Sequence, residues 1–340
     1  MKKLLLLVLL LVLASSVSAQ DDLFTLYGDQ PVVPHGKGGA WDGQYTDPGA
    51  VFYADGKFNM FRNGFNGWPV PVQIGYATSD DGLNWTDAEE NPVLFSKDVP
   101  YAKVAALASD GMVMDDGTWV LYFYTWNSYN QTTAPGAIGR ATAPAPTGPW
   151  TPDPAPILNP GSAGSWDELR LSAPRIVKLD DGSGYRYRMY YTGYNKTGLT
   201  SGKIGMATSP DGIVWTKYDD PATTETAFAE SDPILTGASR IELGQPMVEQ
   251  TPDGWVMTYR QVDSGRRPGM ALNYALSDDG LHWTIASDKP FWDMSSLPGQ
   301  FYYTAMEYHD GTYYQYIEGQ KNSNTQIYVA THTGSLKPAS

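Results

Sequence analysis

The chain contains no cysteine, so disulfides, thiol catalysis and cysteine-rich metal sites are all excluded, and stability must come from a large core. Histidine is scarce: His35, His282, His309 and His332 stand apart, without metal-ligand spacing. There is no G-x-S-x-G elbow and no phosphate-cradling glycine loop. No metal site and no cofactor is therefore expected, with a structural calcium ion left open. Positive charge is short as well. Lys and Arg number 23 against 37 Asp and Glu, a net charge of −14, which becomes −16 once Lys2 and Lys3 are removed. That balance argues against nucleic acid and anionic membrane as partners and favours a neutral or cationic ligand. Long apolar runs are missing except for Leu4 to Leu13. That run follows two lysines and precedes Ala-Ser-Ser-Val-Ser-Ala, the three-part form of a secretory leader with cleavage expected after Ala19. It is too short to span a bilayer comfortably. The expected product is a soluble, monomeric protein that is secreted or periplasmic, with residues 1–19 as signal peptide and 20–340 as one domain.

Helical periodicity is absent after the leader, and what replaces it is repetition. Ile204 to Thr216 reads I-G-M-A-T-S-P-D-G-I-V-W-T; Ile74 to Thr86 reads I-G-Y-A-T-S-D-D-G-L-N-W-T, and Leu272 to Thr284 reads L-N-Y-A-L-S-D-D-G-L-H-W-T. Ile138 to Thr151 is a degenerate copy, and Ile327 to Thr331 keeps only the first half. The closing tryptophans Trp85, Trp150, Trp215 and Trp283 lie 65, 65 and 68 residues apart. Each unit is a strand of small and β-branched residues, an Asp-Gly turn and a returning strand. The period is that of propeller blades, and a tryptophan repeated in four of the five units reads as a wedge between blades before it reads as a sugar platform.

A second series of Asp-Gly pairs, Asp55-Gly56, Asp116-Gly117, Asp181-Gly182, Asp253-Gly254 and Asp310-Gly311, lies upstream of each unit. Two hairpins per repeat make a four-stranded antiparallel meander, and five repeats predict an all-β, five-bladed β-propeller with blades near 44–95, 104–160, 170–236, 242–292 and 300–334. Leu23 to Tyr27 is positioned to pair with the truncated last blade. Both short turns of a blade fall at one end. The other end carries the long, aromatic and polar loops 63–72, 126–137 and 263–268 and the crossing 157–171, so a ligand mouth is expected there.

At that mouth Asp47, before Pro48, is an acid in one blade only; its counterparts are Ala108, Ala173, Gln245 and Tyr302. A turn aspartate and a site carboxylate are equally good readings of it. Arg62 and Asn63 in blade 1, Arg260 and Gln261 in blade 4, and Glu318 in blade 5 fall on the same rim. The arginines are taken as equivalent and suited to ligand hydroxyls or to holding carboxylates ionised, whereas Glu318 reads as a solvated rim charge. Glu242 and the run Trp166-Asp167-Glu168 enter from crossings between blades. Glycoside hydrolysis needs two carboxyl groups flanking the bond, and Asp47 with Glu242 first, or Glu168 second, would supply them. Trp166 and Trp126 are candidate sugar-facing aromatics, although Trp41-Asp42 repeats the Trp166-Asp167 dipeptide, which points to a structural role for it.

The repeated A-T-S-x-D-G-x-x-W-T hairpins, with Trp166-Asp167, Pro174-Arg175-Ile176-Val177 and Met189-Tyr190-Tyr191-Thr192-Gly193, make the chain resemble the five-bladed propeller glycosidases of glycoside hydrolase families 43, 32, 62, 68 and 130. The resemblance implies that Asp47-Pro48 supplies the base or nucleophile. It also implies an aspartate before proline in a middle blade, where this chain has Ala173-Pro174. A glutamate two before proline is implied in a later blade, where the chain has Gly244, with Glu242 displaced by two residues. Arg175 resembles the family 130 pattern. The implied activity is hydrolysis of arabinofuranosides, xylosides or fructosides with carbohydrate as the partner; the alternative is a carbohydrate-binding propeller without catalysis.

Overall fold

The computed structural model describes residues 23–67, 70–130, 133–180, 182, 184–195, 201–265, 270–293, 303–321 and 323–337. The leader segment 1–19 and residues 266–268 of the blade 4 loop lie outside the described residues. Five antiparallel sheets follow one another along the chain. Their first strands are Tyr45–Ala54, Ala105–Val113, Arg170–Lys178, Ile241–Thr251 and Thr304–His309. Second strands are Lys57–Phe65, Trp119–Trp126, Tyr187–Tyr194, Gly254–Asp263 and Thr312–Lys321. Third strands are Gln73–Ser79, Ile138–Ala143, Lys203–Ser209, Met270–Ser277 and Asn324–Thr333. The first strands of successive blades pack on one another all the way round, blade 5 against blade 1 included. The chain is a five-bladed β-propeller, as the repeats predict.

Blades 1 to 4 end in short outer strands that follow their third strands, whereas the third strand of blade 5 ends at Thr333 and its outer strand comes from an earlier segment. Its outer strand is Thr25–Leu26, paired through Thr25 with Thr331 and through Leu26 with Ala330. The expected ring closure by residues 23–27 is thus present, and it is pinned by Phe24, which is 1 % exposed and packs against Phe291 with 5.0 Å between the tilted rings' centroids.

The repeated S-x-D-G unit explains itself at the turns. Ser79 Oγ accepts from Gly82 N at 2.9 Å and donates to Asp81, whose carboxylate accepts from the amides of Leu83 and Asn84. Ser209 with Asp211 and Ser277 with Asp279 repeat this arrangement. The tryptophan beyond each turn meets, edge to face, an aromatic ring on the second strand of the preceding blade: Trp85 on Tyr316, Trp150 on Phe61, Trp215 on Tyr122 and Trp283 on Tyr190. Three of those tyrosines also donate to the turn carbonyls of Gly82, Gly212 and Gly280. Blade 5 has no such tryptophan, and the corresponding residue of blade 4 is Thr258, whose hydroxyl donates to Gln315 Oε1 at 2.8 Å. The wedge and its seat are present or absent together.

Near the turn end of the axis, the five first strands converge on one guanidinium. Arg175 Nη1 contacts Asp110 of blade 2 at 2.9 Å and the Val51 carbonyl of blade 1 at 3.2 Å. Its Nη2 contacts Glu249 of blade 4 and Glu307 of blade 5. Tyr53 N of blade 1 donates to the other Glu307 oxygen at 3.0 Å. Burial pushes Glu249 up to about 7, with Arg175 opposing and Asp110 adding to the shift. Burial and then Glu249 raise Glu307 well above the ordinary carboxylate range.

Candidate functional site

The end of the propeller opposite the Asp-Gly turns is shaped by β-bulges. The register of the first hairpin shifts between Pro48 and Ala50, between Ala108 and Asp110, between Ser172 and Arg175, and between Gly244 and Met247. A bulge bends the strand and re-aims its side chains. In blades 3 and 4 it requires a left-handed residue other than glycine, Ala173 (φ 50) and Gln245 (φ 54). Such a conformation is costly and persists where the surroundings dictate it. Here Gln245 N donates to Thr192 Oγ1 at 2.8 Å and Gln245 Oε1 accepts from Thr304 N at 3.1 Å, tying blade 4 to both neighbours.

Asp47 sits just before the blade 1 bulge, opposite Asn63, at the mouth end as expected. It is 3 % exposed, and among the described residues its carboxylate accepts one hydrogen bond, from Asn63 Nδ2 at 2.9 Å. Asn63 also donates to the Ala108 carbonyl and accepts from Ala108 N, joining blade 1 to blade 2. Burial, and then the negative charge of Glu318, raise Asp47 well above the usual carboxylate range, with Asn63 opposing. Glu318 is 5 % exposed, which corrects its reading as a solvated rim charge. Its Oε2 accepts from Tyr303 N at 3.2 Å. Burial above all raises the Tyr124 and Tyr303 phenols, and the negative charge of Asp47 adds to both.

In blade 4, Glu242 is 2 % exposed. Its Oε1 accepts from Arg260 Nη2 at 3.0 Å and from the Tyr194 hydroxyl at 3.2 Å. Burial raises Glu242 above its ordinary value despite Arg260, and burial with Glu242 pushes Tyr194 up to about 12. Arg170 lies over the Tyr194 ring at 4.6 Å. The displacement of this glutamate by two residues has a simple consequence. Positions 242 and 244 of a strand point to the same face, about 6.6 Å apart. Gly244 has no side chain, and Arg260 opposite it reaches Glu242 instead. Gly202 backs the glutamate so closely that an added Cβ there would lie 2.6 Å from Glu242 Cγ.

Arg62 and Arg260 are not equivalent. In blade 1 the two-residue turn is Asp55-Gly56, whereas in blade 4 Thr251 pairs with Gly254 and the turn is Pro252-Asp253. The one-residue shift puts Arg260 in register with Asn63 and moves Arg62 to the other face. There Arg62, 2 % exposed, donates to Asp42 (2.7 Å), Thr46 (3.0 Å) and both Asp87 oxygens, and covers Trp41 at 4.7 Å. Every arm of that guanidinium holds blade 1, so a role for Arg62 in touching ligand has no support in the geometry.

Trp166 is likewise enclosed. It is 3 % exposed, donates to Ser231, stacks on Tyr191 and fills the space over Gly193 and Gly205, just as Trp41 does over Gly64 and Gly75. The Trp-Asp dipeptides are therefore braces for their blades. Trp126, 8 % exposed, packs with Val72, Val104, Leu107 and Tyr124. Gln261 faces Asn273. Glu168 is half-buried in its crossing, where Oε2 accepts from Gly164 N at 2.6 Å. The structure thus places Asp47, Asn63, Glu242, Arg260 and Glu318 at the end opposite the Asp-Gly turns and adds Tyr124, Tyr194, Tyr303 and Arg170. The common signal was available: Asn63, Tyr124, Thr192, Arg260 and Glu318 are one polar residue per blade at one strand position, all buried. Among the described residues no group of three or more potential ligands is arranged for a metal ion.

Neither a family model nor a curated protein matches the sequence. Solved structures do. A glycosyl hydrolase from Bacteroides ovatus is 21 % identical, with a TM-score of 0.66, covering 93 % of this chain and 94 % of that one. The fold is that of the glycoside hydrolase propellers. A structure described with GH130-family glycoside hydrolases that target β-1,2 mannosidic linkages in Candida mannan is also similar (21 % identity, TM-score 0.67, 93 % and 95 % covered). So is a GH43 enzyme from Xanthomonas citri complexed with xylotriose (17 % identity, TM-score 0.58, 89 % of each chain).

Proposed function

We propose that this chain is an exported glycoside hydrolase that cleaves polysaccharide or oligosaccharide bonds of the arabinofuranoside, xyloside or fructoside type, using the carboxyl groups of Asp47 and Glu242. One observation carries the reading: two buried carboxyl groups in different electrostatic settings at the end of the propeller opposite the Asp-Gly turns. Asp47 has a second carboxylate for a neighbour, and Glu242 has an arginine. Burying ionisable groups is costly, and neither serves the wedges or the axial cluster that hold the ring together. Carboxyls with divergent environments at one mouth are what acid–base work on a glycosidic bond requires. Asn63 and Arg260 are the proposed sugar contacts, Gln261 being turned to Asn273 on the other strand face, and Glu168 is the second choice of partner acid. The glycoside hydrolase neighbours support a carbohydrate substrate, and the xylotriose bound to the X. citri enzyme supports xylosides among the candidates.

The second reading, a carbohydrate-binding propeller without catalysis, is favoured by Ala173 and Gly244 standing where the resemblance implies carboxylates. Incubating the purified chain with arabinan, xylan and fructan oligosaccharides and measuring released reducing ends separates the two. Release that disappears in Asp47→Asn with an unchanged circular dichroism spectrum supports the enzyme. Binding without release by the wild type supports the module. Export is tested by finding the processed chain outside the cytoplasm, beginning at Gln20.

A further inference from the structure

Trp41-Asp42 and Trp166-Asp167 are the same brace in two blades, and only one of them is sealed. Trp166 lies on Gly193 and Gly205, and Trp41 lies on Gly64 and Gly75. In blade 3 the long link 218–232, between the outer strands Thr216–Lys217 and Pro233–Leu235, folds back over the indole. The Ala227 carbonyl accepts from Trp166 N at 3.0 Å, the Ser231 carbonyl accepts from Trp166 Nε1 at 2.9 Å, and Phe228 packs into the same cluster. In blade 1 the corresponding link, between Thr86–Asp87 and Leu94–Phe95, is only 88–93 and supplies no such cover. Trp41 is therefore half-buried. Arg62 lies over its ring, and among the described residues its indole N–H is neither hydrogen-bonded nor buried.

The uncovered tryptophan lines a cavity of about 410 Å³, within the size range of small-molecule sites. Its other walls include the half-buried ring of Phe95, the amides of Asn66 and Gln73, and exposed Lys97, whose ammonium lies 5.0 Å from the Phe95 centroid. Gln73 and Phe95 are cross-strand partners, so the sheet holds that amide beside that ring. No Asp or Glu lines the cavity, in a chain of net charge −14. Gly64, the seat of Trp41, neighbours Asn63, the partner of Asp47, and successive residues of a strand point to opposite faces. The cavity thus lies across the blade 1 sheet from Asp47, at the same end of the propeller. We propose that it is a second carbohydrate site, holding one sugar ring of a polysaccharide chain apart from the Asp47 and Glu242 pair. A sugar ring has an apolar C–H face and a rim of hydroxyls, which suits an aromatic face flanked by donors. Phe95 takes the C–H face, and Trp41 Nε1, Asn66, Gln73 and Lys97 donate to hydroxyl oxygens, Lys97 swinging off the ring on its exposed stem. The occupant rests on the carbohydrate reading of the chain, whereas binding here needs no turnover.

The test follows the tryptophan indole N–H resonances of isotope-labelled protein during titration with xylan, arabinan and fructan oligosaccharides. The Trp41 signal is assigned by its loss in Trp41→Phe or, should that variant not fold, by the nuclear Overhauser contacts of its ring with Gly64 and Gly75. Titrations are run on the wild type, on Asp47→Asn and on Phe95→Ala. The Trp41 signal should shift saturably with at least one of these oligosaccharides, equally in the wild type and in Asp47→Asn. Phe95→Ala, which removes the aromatic face, should weaken that binding about tenfold while leaving turnover of nitrophenyl glycosides unchanged. A Trp41 signal that moves with none of the oligosaccharides, or moves with undiminished affinity in Phe95→Ala, refutes the site. Turnover with a still Trp41 signal keeps the hydrolase reading and sinks this one. A shift without any turnover supports the site and leaves the chain a binding module.

Discussion

Replacing Arg175 by methionine tests whether the axial cluster is a keystone of the ring. The guanidinium, 6 % exposed at its side chain, is shared by Asp110, Glu249 and Glu307 and also donates to the Val51 carbonyl, so its loss affects all four of the other blades. Methionine matches much of the volume, which leaves charge as the main change. Breaking a buried ion pair from one side costs about 3 to 5 kcal/mol. For a chain of this size that is about 5 to 8 °C in Tm, at about 1.5 °C per kcal/mol. The cost has a pH signature. Without Arg175 the three carboxyls stay folded only by keeping their protons, so the gap between wild type and variant widens as pH rises. Urea unfolding and calorimetry across the pH range would measure it. A Tm within about 1 °C of wild type at alkaline pH, well under the loss expected for a buried pair, would show that the cluster carries no net stabilisation.

Glu249, raised from its ordinary value to about 7, gives stability that is full below the ordinary value and is lost as pH rises through about 7. Glu249→Gln should therefore flatten the fall in stability over that window, by up to about 3 kcal/mol, as read from the pH dependence of Tm. Phe24→Ala should cost about 3 to 5 kcal/mol and raise hydrogen exchange in Thr25–Leu26 and Asn324–Thr333 first, because Phe24 pins the closing strand. Gly205→Ala puts a Cβ 2.6 Å from the Tyr191 ring and 2.8 Å from Trp166. It should destabilise by about 1 to 3 kcal/mol in a urea titration, without changing any ligand affinity.

The repeats made the fold legible because each copy carries its own instructions. Ser79, Asp81 and Gly82 build the turn, and Trp85 builds the seam to the preceding blade. The closing strand was legible for a complementary reason, since blade 5 visibly lacked an outer strand. The site was harder to read because it depends on single-residue offsets. Pairing Arg62 with Arg260 failed when the turn of blade 4 formed at Pro252-Asp253, one residue before the Asp-Gly pair. Glu318 looked like a rim charge because sequence does not reveal that its side chain is buried and accepts from Tyr303 N. Trp166 looked available until Gly193 and Gly205 proved to be its seat.

A crystal structure of Asp47→Asn soaked with an accepted oligosaccharide tests the central claim most directly. The account predicts a sugar at the end of the axis opposite the Asp-Gly turns, with the glycosidic bond flanked by the residue 47 side chain and Glu242. The two side chains should then be separated by about 5 to 9.5 Å, the range that spans retaining and inverting geometries. A sugar bound at the Asp-Gly turn end or on the outer face of a blade, with the mouth empty, would contradict it.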